Sequence, residues 1–181
     1  VVPAGTAAGF GVGGDDFHVW AHQVIPVFHP FGVALAHGED DPMVTIDREL
    51  AARTGLPLGE EWLAVVGFRR AEDSDVPICR TEYYINRSFA AVGRMLQNHT
   101  GPIFPLLEDL FGISVVEVRQ EITAVQLSPE LAQVLKVEPG SPALQMQRRY
   151  TTSDSEIAQV TVNTHPAARF RHSMTMRRVK G

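Results

Sequence analysis

Residues 128–150 read SPELAQVLKVEPGSPALQMQRRY, a stretch that holds a helix, a turn and a strand whose ends can be read one by one. Ser128 can cap a helix by accepting a backbone N–H, Pro129 takes the first helical position where its missing N–H costs nothing, and Glu130 puts a negative charge in the first turn. Leu131, Ala132, Val134 and Leu135 supply an apolar stripe, and Pro139 with Gly140 ends the helix. Ala143 to Tyr150 then alternates as a strand does: Leu144, Met146, Arg148 and Tyr150 share one face, and Gln145, Gln147 and Arg149 the other. One arginine therefore lies on the apolar side.

The stretch has an upstream twin. Shifting the chain by 81 residues lays positions 47–75 over 128–156 without a gap, with seven identities in 29 positions, among them Glu49/Glu130, Leu50/Leu131, Gly59/Gly140 and Leu63/Leu144. Both copies follow one grammar: a capped helix, a break at Pro and Gly, an alternating strand, an acidic turn, another strand. Two such units predict a domain with internal pseudo-two-fold symmetry, since a solenoid needs three or more shorter units.

Around these units the remaining elements follow. Asp47 caps a helix through Thr54, with Gly55 as its C-cap. Trp62 to Ala71 and Val76 to Ile85 are β-rich runs joined by a four-residue acidic loop, which predicts an antiparallel hairpin. Ser88 to Gln97, capped by Ser88, and Pro102 to Phe111 have helical spacing, and Val115 to Leu127 is a long strand. Ile157 to Thr164 and Arg169 to Arg178 are the last strands, and 17–37 holds one or two short ones. Helices that interrupt hairpins, rather than alternating with strands, predict an α+β domain: an antiparallel β-sheet with helices mainly on one face. Residues 1–16 read as a flexible segment with five glycines in the first 14 positions, and 17–181 as one domain.

Composition narrows the function. The net charge of -5 conceals an asymmetry, because residues 1–47 carry six acids and no Lys or Arg. Neither part reads as a nucleic-acid surface. The single cysteine, Cys79, precludes an internal disulfide and a cysteine-based zinc cluster, and fits a reducing, cytoplasmic setting. No membrane span is expected. Dinucleotide, P-loop, zinc-protease and nucleophile-elbow motifs are all missing, so no cofactor is expected. His18, His22, His29 and His37 read as packing residues of an irregular segment rather than metal ligands.

Strand alternation sets five polar residues beside apolar neighbours: Arg69 (or its neighbour Arg70), Glu82, Arg148, Gln159 and His165. A guanidinium on an inward face must find an anion or carbonyls. Two readings stay open, a ligand pocket and an internal Arg69–Glu82 ion pair across the hairpin.

In order and spacing, ELAARTGLPLGE, VPICRTEYYI, LLEDLFGI, SPELAQVLKVEPGSPALQMQRRY and HPAARFRHSMTMRR resemble the UTRA effector-binding domain of HutC-type regulators in the GntR superfamily, over about Met43 to Arg178. The resemblance implies a chorismate-lyase-like fold, a small-molecule effector beside the sheet and homodimerisation. It also implies operator DNA as a partner, reached only through a winged helix-turn-helix that residues 1–42 do not supply. Where the family carries an Arg-x-Arg pair only Arg69 matches; Gln159 stands at a glutamate position, His165 at a tyrosine position, and Pro102 at a serine position. These departures point from a sugar phosphate toward a small organic anion. A ligand sensor rather than an enzyme is the leading expectation, beside a small-molecule lyase on the same fold and a ligand-free dimerisation module.

Overall fold

The computed structural model describes residues 34–36, 43–70, 75–99 and 101–174. The unit spanning Pro30–Phe170 carries every helix and strand described below. The four histidines of the N-terminal segment lie outside the described residues, as does the glycine-rich stretch before them.

Strands β1 (Ala34–Ala36) and β2 (Met43–Thr45) lead into helix α1 (Arg48–Thr54) and the hairpin β3 (Glu61–Arg70) and β4 (Pro77–Asn86). A 3-10 helix (Arg87–Asn98) and α2 (Phe104–Phe111) come next. The second unit is β5 (Val115–Gln126), α3 (Pro129–Leu135), β6 (Pro142–Thr152) and β7 (Ile157–Pro166). All pairings are antiparallel in one seven-stranded sheet, ordered β1-β3-β4-β7-β6-β5, with β2 beside β1 on the outer edge of β3.

The two copies of the grammar are realised in this sheet. Matching β2 with β5, β3 with β6 and β4 with β7 makes the order read alike from both ends, so a two-fold axis normal to the sheet falls between β4 and β7. The offset is 81 residues from Asp47 to Ser128 but 80 from β4 (Pro77) to β7 (Ile157), and Glu82 pairs directly with its own equivalent, Val162. Irregularities at Arg69/Arg70 and Tyr150/Thr151 sit in the hairpins between the two offsets. Local chemistry agrees: the Leu50 N–H donates to Asp47 Oδ1 at 2.8 Å and the Leu131 N–H to Ser128 Oγ at 3.3 Å. Gly59 and Gly140 both take left-handed φ, 83° and 76°, at the equivalent break, where a side chain would be strained.

Helical cover is shared between the two faces rather than concentrated on one. On the α1 face, Leu50 and Ala51 pack with Ile46, Leu56, Trp62, Tyr84, Val160 and Val162, while Ala132 and Leu135 of α3 pack with Leu127 and Ala143. On the α2 face, Phe89, Val92 and Leu96 of the 3-10 helix and Leu107 of α2 cover Leu63, Val65, Tyr83 and Ile85. The adjacent residues Trp62 and Leu63 thus serve opposite layers, as a two-residue period requires.

Several boundaries differ from expectation. The segment after β4 is a 3-10 helix, and its cap is Asn86, whose side chain accepts from the Ser88 N–H, not Ser88 itself. α2 begins at Phe104 with Pro105 in its first turn, beyond Pro102. α3 stops at Leu135, where Lys136 turns left-handed at φ 53°, ahead of the Pro-Gly pair. Of the strand expected over Arg169 to Arg178, the described part is not formed: a short 3-10 turn (Ala167–Arg169) follows β7 and residues 170–174 form no strand, while 175–178 lie outside the described residues. Arg169 explains the stop: it donates to the carbonyls of Pro77, Leu135 and Lys136 at 2.6–2.8 Å, tying the chain to α3 and β4.

Candidate functional site

The α2 face of the sheet is apolar under the helices and polar elsewhere. Thr81, Gln159, Thr161, Asn163 and His165 are all buried there, and a row of buried polar groups on one sheet face is costly unless each finds a partner. Registers put Thr81 opposite Asn163, Tyr83 opposite Thr161, Arg148 opposite Thr161, and Leu144 opposite His165. Arg69 faces the same side, opposite Cys79.

The polar row is internally bonded. Thr81 Oγ1 donates to Asn163 Oδ1 at 2.9 Å, and Arg69 Nη2 approaches the same oxygen at 3.5 Å. Asn163 Nδ2 donates to Met146 O and Thr161 Oγ1, each at 3.4 Å. Arg148 Nε donates to Gln120 Oε1 at 2.7 Å. Phe104 of α2 stacks on Tyr150, with centroids 5.2 Å apart, and forms an aromatic wall.

Electrostatics bring the two arginines together. Burial pushes the Cys79 thiol and the Tyr150 phenol up, while the charges of both Arg69 and Arg148 oppose the rise. Burial also pushes His165 down to about 4, and Arg69 and Arg148 add to the depression. His165 is therefore a neutral imidazole at pH 7, stacked on Phe170 at 3.9 Å. By position, Arg69 reaches Asn163 and Arg148 stands opposite Thr161, so both lie along the same polar row.

Of the five residues singled out from the sequence, four lie on this face: Arg69, Arg148, Gln159 and His165. Gln159 and His165 are six positions apart on β7, so about 20 Å separates them along the strand. Gln159 lies at the Tyr150 end, and its Oε1 is buried without a hydrogen-bond partner among the described residues.

Glu82 belongs elsewhere, and the anticipated Arg69–Glu82 pair gives way to another network. Glu82 faces α1, where Arg53 donates to both carboxylate oxygens at 2.8 and 2.7 Å, Arg80 forms a second ion pair, and the Tyr84 hydroxyl donates at 2.8 Å. Burial alone would raise the Glu82 pKa, but the Arg53 fork, the Arg80 charge and the Tyr84 hydroxyl outweigh it and hold the carboxyl below its usual range. Arg53 escaped the sequence reading because it reaches Glu82 from a helix 29 residues upstream. Asn163 and Thr161 also escaped, although both continue the Gln159–His165 alternation. Among the described residues, no group of three His, Cys, Asp or Glu could hold a metal ion, and no helix is long and apolar enough to cross a membrane.

The family described as UTRA domain matches residues 43–171. An HTH-type transcriptional regulator of Mycobacterium tuberculosis is 28% identical over 113 residues, covering 61% of this chain and 42% of that protein. The chain thus spans less than half the length of that curated relative. Among solved structures, a GntR-family transcriptional regulator from Enterococcus faecalis superposes with a TM-score of 0.62 at 19% identity, covering 74% of this chain and 94% of that one. The C-terminal domain of the histidine utilization repressor from Pseudomonas syringae gives 0.59 at 17% identity, covering 72% and 89%. At these identities the structures attest the fold, and the family match attests the membership: the chain belongs to the UTRA domain family.

Proposed function

We propose that this domain is the sensor of a cytoplasmic GntR-type regulator. It binds a small organic anion on the α2 face and passes occupancy to a separate winged-helix domain that holds operator DNA. The observation that supports the reading best is the placement of Arg69 and Arg148 along one buried polar row that ends at the Phe104–Tyr150 wall. Fixed guanidinium forks match carboxylate geometry, and the wall suits the carbon skeleton. A sensor needs selective binding and two states, not turnover. Arg69→Ala should weaken binding of a carboxylate effector by about 1.5 to 3 kcal/mol, roughly 10- to 150-fold, with the fold intact. Calorimetric titration of wild type and variant checks this, and unchanged affinity in the variant would count against the pocket.

The domain also serves as the dimerisation unit in this reading. β5 is a sheet edge 12 residues long that exposes Val116 (62%) and Ile122 (39%), a surface proteins normally cover. Antiparallel pairing of two β5 edges centred on Gln120 would set Arg119 of each copy opposite Glu121 of the other, and Val118 opposite Ile122. Light scattering at tens of micromolar should give a dimer for wild type and a monomer for Ile122→Lys. A monomeric wild type would contradict it.

A further inference from the structure

On the other face of the sheet, a cleft of about 380 Å³ opens between the C-terminal end of α1 and strands β5 and β6. Its lining includes Arg53, Arg119, Arg149, Gln145, Gln147 and the carboxylate Glu121. Three observations single it out. Arg119 and Arg149 are direct cross-strand partners on one face, and like charges placed opposite each other destabilise a sheet. The arginines outnumber the carboxylates that meet them: Arg53 is taken by Glu82 and Arg119 by Glu121 at 2.8 Å, while among the described residues no carboxylate forms an ion pair with Arg149. Arg149 instead donates to Gly55 O at 2.9 Å, and Gln147 Nε2 meets Thr54 O at 2.6 Å, so the negative end of α1 is already satisfied and an excess of positive charge is left in the cleft.

We propose that this cleft binds a small dianion of the phosphoryl or dicarboxylate class, at a site separate from the α2 face. An anion held between the Arg119 and Arg149 forks converts their repulsion into two charge-assisted contacts. The cleft lies within the range of small-molecule sites, so it can take an organic group attached to the anion as well as the anion itself. Bound there, the ligand would bear on α1 through Arg53 and Gly55. The proposal does not depend on the effector reading, because Arg69 and Arg148 lie across the sheet.

Isothermal titration of the full chain with inorganic phosphate and, separately, with succinate tests it, using sodium chloride at matched ionic strength as the baseline. At least one dianion should bind saturably, and which of the two does so separates phosphoryl from dicarboxylate chemistry. Arg119→Gln removes an exposed guanidinium, and Arg149→Lys keeps the charge but loses the fork. Each should weaken binding at least tenfold, whereas Arg94→Gln, which removes an exposed guanidinium of the 3-10 helix outside the cleft, should leave it within twofold. The proposal is overturned if neither dianion binds beyond the chloride baseline, if Arg119→Gln binds as wild type does, or if Arg69→Ala abolishes binding and so moves the site to the other face.

Discussion

Replacing Glu82 with alanine is expected to lower the melting temperature by roughly 6 to 12 °C. The carboxylate is buried (6% exposed) on the internal two-fold axis, with two guanidiniums and the Tyr84 hydroxyl aimed at it. Deleting one member of a buried ion pair typically costs 3 to 5 kcal/mol, because the remaining charge loses its partner without regaining water. The side chains of Arg53 and Arg80 are 30% and 20% exposed, which screens part of that cost and places the loss near about 3 kcal/mol. For a domain of this size each kcal/mol moves the midpoint by about 2 to 4 °C. Arg53→Ala should be milder, since Glu82 keeps Arg80. A drop of less than about 2 °C in a calorimetric scan of Glu82→Ala would show that the network behaves like a surface pair.

The second large effect is on acid stability. His165 has a folded-state pKa of about 4 against an ordinary 6.5, because its site is buried and faces Arg69 and Arg148. The imidazole must therefore stay neutral in the folded state, while the unfolded chain takes up a proton as soon as pH falls below about 6.5. Between these values the unfolded state binds more protons, so stability is complete above 6.5, declines as pH falls, and levels off below about 4. The depression of 6.5 − 4 = 2.5 pKa steps, at 1.36 kcal/mol each, sets the loss at about 3 kcal/mol across the window. Melting curves from pH 7 to 4 should show it, and His165→Gln should flatten it. Glu82 adds its own loss only below about 4.5, because its carboxyl pKa is lowered rather than raised. An unchanged slope in His165→Gln would mean that another group carries the dependence.

Much of the fold was legible because its signals are local. Caps at Asp47 and Ser128, glycines at 59 and 140, and a two-residue alternation in β6 each follow from one residue and its neighbours. The alternation also placed Arg148 beside Tyr150 and His165 in line with Gln159. What escaped depends on register. Whether Glu82 shares a face with Arg69 turns on the irregularity at Arg69/Arg70, which the repeat with its uniform 81-residue shift hides. Arg53 could not be matched to Glu82 from spacing, since a helix can aim a side chain at any strand beneath it. Residues 170–174 form no part of the expected last strand for a similar reason: three distant carbonyls capture Arg169, a contact with no trace in local composition.

A thermal-shift screen of small organic anions, run in parallel on wild type, Arg69→Ala and Glu82→Ala, tests which face of the sheet holds the effector. An effector at 100 times its dissociation constant adds about 2.7 kcal/mol, roughly 5 to 10 °C here. At least one carboxylate should give such a rise in wild type, Arg69→Ala should melt near wild type but lose the response, and Glu82→Ala should start lower yet gain the same increment. A response that survives in Arg69→Ala and disappears in Glu82→Ala would put the effector on the α1 face and contradict the assignment.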